Sequence, residues 1–505
     1  MARPNILWLM SDQHNAACLG AAGHPDVRTP NLDALAADGV RFENAFCNNP
    51  ICAPSRISMI AGQYPHTTGV TGNDVFDIDV ENPGTLATFL RRHGYQTALI
   101  GKGHMIGSWD RDGFEHIRYC DLCDAERDHP RSCHYFDHLV RHGLADKYDL
   151  GSLPAGHPGH GMRPFVSEIP HEHSVENWTG NQAVEFLQNR DRNRPFFMQL
   201  SFQRPHDPYA PSPERASLYD PAALTLPDNA ADLFENRFGS KPTFQQAHIN
   251  CHDGEGYPYV PRSEDDLRTI MAHYFALITI IDEQIGSVID SLKQSGDYEN
   301  TVICYVADHG DFAGEHGLQL KNLGIYESIH RIPFLLRWPG GPRGSVSTEL
   351  VEGVDLYPTL CELAGFEAPA HVEGRSVVPV VEGKCQGHDA VVCEWDFAWP
   401  PQTTVFAART ENFRLVYYLD NPDDGELYDR REDPGEMQNH FNDPACRDIQ
   451  LALTQHILNK VGRFRRAWDF GDDAAENERT KDTPTTRIHK KCARWSEVGT
   501  GKDRS

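Results

Sequence analysis

Apolar residues in this chain come in short unbroken runs, and amphipathic stretches separate them. Runs at 6–10, 97–100, 196–202, 302–307 and 333–337 predict strands. They are nearly continuous in hydrophobicity, as strands covered on both faces are. Stretches at 31–38, 85–93, 175–189 and 355–363 predict helices, with Gly39, Gly94 and Gly365 where C-terminal caps fall. The strongest helix runs from 264 to 294. Leu267, Ile270, Met271, Tyr274, Leu277, Ile278, Ile281, Ile285, Val288 and Leu292 form one stripe at helical spacing. Ser263 with Asp266 caps its start and Gly296 marks its stop. Strands alternating with helices predict an α/β fold, a sheet with helices on both faces.

The pattern changes near residue 375. Short strands at 391–395, 405–409, 413–418 and 426–428 are joined by turns, which predicts a small antiparallel sheet. A helix follows near 449–461. This divides the chain into a catalytic domain over 1–375, a sheet-plus-helix subdomain over 376–470, and an arm or tail over 471–505. Ile488 and Trp495 in the arm offer a neighbouring subunit something to bury, so a homo-oligomer held by the arm is expected.

Charge narrows the partners. The 505 residues hold 47 Lys+Arg and 73 Asp+Glu, a formal net charge of −26. So acidic a chain lacks the basic footprint of a nucleic-acid binder. A local cationic pocket for an anionic substrate remains compatible with it. No uncharged run approaches the roughly 18 apolar residues of a membrane span. Residues 5–10 are too few for a signal-peptide core. A cytoplasmic protein is therefore expected, with the thirteen cysteines as thiols rather than a disulfide framework. Cys120, Cys123, Cys133 and His134 make only half of a zinc pattern.

Three groups of residues carry candidate chemistry. Ser11-Asp12-Gln13-His14 directly follows the first strand, on the edge where α/β proteins place their sites. Asp308-His309-Gly310-Asp311 repeats that placement after the strand at 302–307. Asp12, Gln13, Asp308 and His309 together offer an oxygen-rich set with one imidazole, acceptable to calcium, manganese or magnesium. The third group is Cys52-Ala53-Pro54-Ser55-Arg56. Pro54 suits the first turn of a helix, so Cys52 falls at a positive helix terminus that stabilises anions. Charge logic alone makes Cys52 a reactive cysteine and no more.

Cys52-Ala53-Pro54-Ser55-Arg56 resembles the C-x-P-S-R signature of the sulfatase family, whose cysteine is oxidised to formylglycine. Other segments fall in that family's order. Asn5 to Gln13 resembles its opening strand and metal acids. Gly101-Lys102-Gly103-His104 resembles G-K-x-H, and Pro205-His206-Asp207-Pro208 resembles P-H-x-P. Ala307-Asp308-His309-Gly310 resembles the second metal segment, and Lys321 with Tyr326-Glu327 follows it. The resemblance spans about residues 4–365 in collinear order. It implies the alkaline-phosphatase-like sandwich with a smaller C-terminal antiparallel sheet.

It also implies roles. Cys52, as a hydrated formylglycine, attacks sulfur, with a divalent cation held by Asp12, Gln13, Asp308, His309 and residue 52 itself. Asp308 accepts the attacking hydroxyl's proton and Arg56 orients the diol. Lys102 and Lys321 neutralise sulfate oxygens. His206, with Lys321, protonates the leaving oxygen. His104 takes the second hydroxyl's proton so that sulfate is expelled. Calcium is the first expectation for the cation, with manganese or magnesium as alternatives. The expected partners are a small or oligosaccharide sulfate ester and a formylglycine-generating enzyme.

Two positions depart from the commonest family pattern. Gln13 stands where many sulfatases have a second acid, and His309 where many have an amide. Both pairs are similar to those of choline-sulfatase-like and phosphonate-monoester-hydrolase-like members. Two alternatives therefore stand beside sulfate ester hydrolysis: phosphonate monoester or phosphodiester hydrolysis in the same site, and a non-catalytic anion-binding relative. A zinc or redox role for Cys120 and Cys123 is a further class.

Overall fold

In a computed structural model, the apolar runs become the central strands of an eight-stranded sheet. The structure describes residues 3–73, 83–105, 113–121, 133–150, 157, 163–232, 263–321, 324–397, 403–419 and 421–465. Its strands are β1 (Asn5–Asp12), β2 (Val40–Phe46), β3 (Gln96–Gly101), β4 (His116–Tyr119), β5 (Phe196–Pro205), β6 (Thr301–Ala307), β7 (Phe334–Arg337) and β8 (Ser345–Glu352). They lie in the order β4-β3-β5-β1-β6-β7-β2-β8. All pairings are parallel except those that β7 makes with β6 and β2.

β1 is central and fully buried, and its alternation feeds two cores. Ile6, Trp8 and Met10 pack on one face with Ile57 and Ile60 of α1 (Cys52–Ala61) and with Leu356 and Leu360. Leu7 and Leu9 pack on the other with Phe186 of α2 (Val175–Asn189) and with Ile281, Ile285 and Val288 of α3 (Glu264–Gln294). The helix stripe read from the sequence is buried along its length, and Ser263 caps it by accepting from the Asp266 N–H at 3.1 Å.

Three strands escaped the sequence pattern. β2 and β8 lie at one end of the sheet, where half-covered positions tolerate Arg41, Glu43 and Ser345 and an exposed one Thr348. β4 is a four-residue edge strand. Gly94 and Gly365 do adopt left-handed backbone after their helices. Gly39 does not: it is needed because a Cβ there would stand 2.5 Å from the Leu336 carbonyl oxygen.

The second sheet is antiparallel, in the order β12-β11-β10-β9, from β9 (Val391–Phe397), β10 (Thr403–Arg409), β11 (Phe413–Tyr418) and β12 (Gly425–Asp429). One face packs on Leu453, Ile457 and Val461 of the helix Arg447–Arg465. The other packs on Ile325 and on Ile51, the residue before Cys52. The small sheet thus backs the N-terminus of α1. The arm at 471–505 and Cys123 lie outside the described residues. Among the described residues no helix is long and apolar enough to cross a membrane.

Candidate active site

β1 and β6 are parallel neighbours, so their C-terminal ends deliver Asp12 and Asp308 to one edge of the sheet. α1 points its N-terminus at the same place, with Cys52 as its first residue and all ten residues buried. The Cys52 Sγ lies 3.1 Å from Nε2 of His309 and 3.7 Å from Oδ1 of Asp12. His309 Nε2 stands 3.7 Å from Asp12 Oδ1 and 3.8 Å from Asp308 Oδ1. One ligand atom from each of Asp12, Cys52, Asp308 and His309 lies within 4.8 Å of the others. His309 Nδ1–H donates to the Gly310 carbonyl at 2.9 Å, which turns the Nε2 lone pair into the cluster.

Buried cations surround these carboxylates. Arg56 Nε donates to Asp308 Oδ2 at 2.7 Å, and its Nη2 lies 3.4 Å from Asp12 Oδ2. Its Nη1 donates to Ser201 Oγ at 2.8 Å and to the Lys102 carbonyl at 3.2 Å. Lys102 pairs with Asp12 Oδ2. It is aimed there by Gly101, whose φ of 93° turns the chain off β3 and whose missing Cβ would strike the Ser201 carbonyl. Burial alone would raise the Asp12 pKa, but Lys102, Arg56 and Lys321 outweigh it and hold it well below the usual range. Burial tends to lower the pKa of Lys321, yet Cys52, Asp12 and Asp207 raise it further, so it stays charged.

His206 lies beside Asp12 and Lys321 on this rim, and His104 follows Lys102 by two residues. His206 Nδ1–H donates to the Asp207 carbonyl at 2.7 Å, leaving Nε2 as its free nitrogen. Burial and the nearby Lys321 lower its pKa well below normal, so the ring is neutral. His104 is half-buried, and its backbone N–H donates to Asp121 at 3.1 Å. Its Nδ1 is buried without a hydrogen-bond partner among the described residues.

The Gln13 side chain is hydrogen-bonded at both ends of its amide. Its amide oxygen accepts from Lys321 Nζ and its Nε2 donates to Asp311 Oδ2 at 2.6 Å. Only its backbone N–H reaches a cluster residue, Asp308 Oδ1, at 3.0 Å. His14 is structural: Nε2–H donates to the Cys18 carbonyl at 2.7 Å, and burial pushes its pKa down to about 4.

Further residues support the site, and of these only Ser55, inside the Cys52–Arg56 signature, was marked by its spacing. Asp311 accepts from Gln13, from Tyr209 Oη at 2.5 Å, and from the N–H groups of Ala313 and Leu320. It ties the Lys321 loop to the end of β1, and only its place in Asp308-His309-Gly310-Asp311 hinted at it. Ser55 Oγ donates to the Asp308 carbonyl at 2.5 Å. Asn73 Oδ1 accepts the Ala53 N–H at 3.1 Å at the start of α1.

Comparison with known proteins agrees with this geometry. The sulfatase family model matches residues 4–366, and that of the C-terminal part of N-sulphoglucosamine sulphohydrolase matches 314–462. The choline-sulfatase of Rhizobium meliloti (strain 1021) is 30% identical, the match covering 90% of this chain and 85% of that one. The N-acetylglucosamine-6-O-sulfatase of Bacteroides thetaiotaomicron is 27% identical over 92% of this chain and 87% of its own. The phosphonate monoester hydrolase of Silicibacter pomeroyi superposes with a TM-score of 0.74 at 26% identity, covering 91% of this chain and 96% of that one. With its cysteine, carboxylates and buried cations drawn to one sheet edge in an alkaline-phosphatase-like frame, this chain belongs to the sulfatase family, hydrolases of sulfate esters.

Proposed function

We propose that Cys52 is converted to formylglycine and that the enzyme uses it, with one divalent cation, to hydrolyse a small organic sulfate or a sulfated sugar. The observation that carries this reading is the 3.1 Å approach of Cys52 Sγ to His309 Nε2, at a helix N-terminus ringed by Arg56, Lys102 and Lys321.

The donor set suits a cation. Two carboxylates, one imidazole and residue 52 converge, and carboxylate oxygens favour calcium, while the imidazole admits manganese. Asp12, Asp308, His309 and residue 52 would hold it. Gln13 would join by releasing Lys321 to the substrate. When bound, the cation lowers the pKa of the attacking hydroxyl and offsets sulfate charge.

The chain's own groups do the rest. Arg56, fixed by four contacts, keeps Asp308 oriented to take the proton of the attacking hydroxyl of the hydrated aldehyde. The new O–S bond forms as the bond from sulfur to the alcohol oxygen breaks. Lys102 and Lys321 offset charge on the sulfate oxygens. His206 supplies the alcohol's proton from Nε2, with Lys321 assisting. It must first be protonated there, and the anionic ester favours this by bringing a negative charge beside the ring. The second hydroxyl then loses its proton, for which His104 is the proposed base, and the C–O bond to sulfate breaks as the aldehyde re-forms. Serine at 52 would have no second hydroxyl and would stall as a sulfate ester.

A sulfated sugar is supported by the N-acetylglucosamine-6-O-sulfatase relative and a small sulfate by the choline-sulfatase relative. A reducing, cytoplasmic setting is supported by the ten described cysteines, all free thiols. The phosphonate monoester hydrolase neighbour supports a second reading in the same site. Rates on 4-nitrophenyl sulfate and on a 4-nitrophenyl phosphonate ester separate the two. Faster sulfate turnover, and a residue-52 peptide lighter than the encoded cysteine peptide, are expected. Faster phosphonate turnover overturns the sulfate preference.

A further inference from the structure

Away from the active site, three histidines converge on one point. His138 and His142 lie one turn apart at the end of α4 (His134–Arg141), and His173 belongs to the short turn His171–His173 just before α2. His138 Nε2 and His173 Nδ1 are 3.1 Å apart. The ring centroids are separated by 4.5 Å for His138 and His142, 5.2 Å for His138 and His173, and 4.4 Å for His142 and His173. One ring nitrogen from each lies within 4.8 Å of the other two.

One N–H···N hydrogen bond satisfies the facing nitrogens of His138 and His173, and the His142 ring completes a cluster of three imidazoles beside them. The other ring nitrogen of His173, Nε2, lies 3.7 Å from Glu172 Oε1. His142 is exposed, so solvent reaches the point of convergence and can complete a tetrahedron.

We infer that His138, His142 and His173 form a second metal site, selective for zinc(II). Imidazoles with no carboxylate among them suit zinc and other late first-row ions and do not suit calcium or magnesium. The active-site set with its two carboxylates has the opposite bias, so the chain sorts two kinds of cation. Zinc here would clasp α4 to the segment that starts α2. Tyr135 Oη already donates to the His173 carbonyl at 3.0 Å across the same joint. From α2, Glu176 lies 3.7 Å from Arg204 Nε, and Arg204 Nη1 donates to the His206 carbonyl at 3.3 Å. The clasp therefore braces the wall that carries His206.

The test uses full-length, tag-free protein, stripped of metal and then kept in excess calcium so that the carboxylate site is filled. Zinc chloride is titrated in by calorimetry, with a melting curve at each addition. Wild type is expected to bind one zinc that His142→Ala binds at least about tenfold more weakly. Zinc should raise the melting temperature of wild type and not of His142→Ala, whose exposed side chain at a helix end is dispensable for folding. Equal zinc stoichiometry and affinity in the two proteins overturns the inference, because any shared zinc is then held elsewhere, at the carboxylate site or at His440, Asp443 and Cys446. Absence of zinc binding by wild type overturns it as well.

Discussion

Arg56 and Asp308 form a fully buried ion pair, Nε to Oδ2 at 2.7 Å, that joins the helix carrying Cys52 to the strand end carrying the second carboxylate. A buried pair with further hydrogen bonds is costly to break from one side, because the surviving charge stays desolvated. The guanidinium also reaches Asp12, Ser201 and Lys102, which a lysine's single ammonium cannot do at once. Arg56→Lys should therefore keep the charge and lose the geometry. Turnover of 4-nitrophenyl sulfate should fall roughly 10²-fold, mainly in kcat, as expected when reacting groups shift by about an ångström. A variant within a few-fold of wild type would remove Arg56 from the positioning role.

Metal removal should act on both rate and stability. Asp12, Asp308 and His309 converge, and the Asp12 carboxyl is held ionised by its cations. A chelator should abolish turnover, and calcium or manganese should restore it. A cation at about 100 times its dissociation constant adds about 2.7 kcal/mol to folding stability. The melting temperature should accordingly rise on adding metal, and this rise should vanish in Asp12→Asn/Asp308→Asn. Chelator-resistant turnover would remove the cation from the mechanism.

Asp311 anchors the loop that delivers Lys321. Its carboxylate gathers four donors, and burial raises its pKa to about 6. Asp311→Asn keeps one oxygen but turns an NH2 group either toward Gln13 Nε2 and Tyr209 Oη or toward the Ala313 and Leu320 N–H groups, setting donor against donor in both orientations. A buried donor left without a partner costs about 1–3 kcal/mol. Chemical denaturation should show a loss of that size, with kcat falling because Gln13 and Lys321 lose their common support. Unchanged stability would mean that the network carries no load.

The central strands were readable because β1, β3, β5 and β6 are buried on both faces, so nearly every position had to be apolar. β2 and β8 were not, since strands toward a sheet edge keep polar residues that blur the period. At the site, Cys52, Arg56, Lys102, Asp308 and His309 were legible as motif residues, and they do meet. Tyr209 and Ser201 act through hydrogen bonds between segments distant in sequence, as Asp311 does in reaching Gln13 and Tyr209, and no local spacing encodes such contacts. The same reason hid His138, His142 and His173. The i, i+4 pair alone is common on helices, and its meaning depends on a turn more than 30 residues away. Gln13 was legible by residue type as a metal ligand, and its side chain meets Lys321 and Asp311 beside the cluster.

His388 supplies a pH-dependent contribution to stability remote from the chemistry. Its Nε2 lies 2.8 Å from Asp355 Oδ2 and 3.8 Å from Glu352 Oε2, and its backbone N–H donates to the Leu350 carbonyl at 2.8 Å. Burial works to lower the pKa, but Asp355 and Glu352 prevail over it and over the nearby Arg375, so the folded-state value is raised. A histidine whose folded pKa exceeds its unfolded value stabilises fully below the unfolded value, about 6.5. That contribution is lost as pH rises through the folded pKa. The neutral ring can still donate to Asp355, so the loss is the difference between a charge-assisted and a neutral hydrogen bond, about 1 kcal/mol. Denaturation of wild type and His388→Gln from slightly acidic to alkaline pH checks this. Wild type should be the more stable at the acidic end, and the gap should narrow on the alkaline side. A gap independent of pH would show that His388 acts by packing alone.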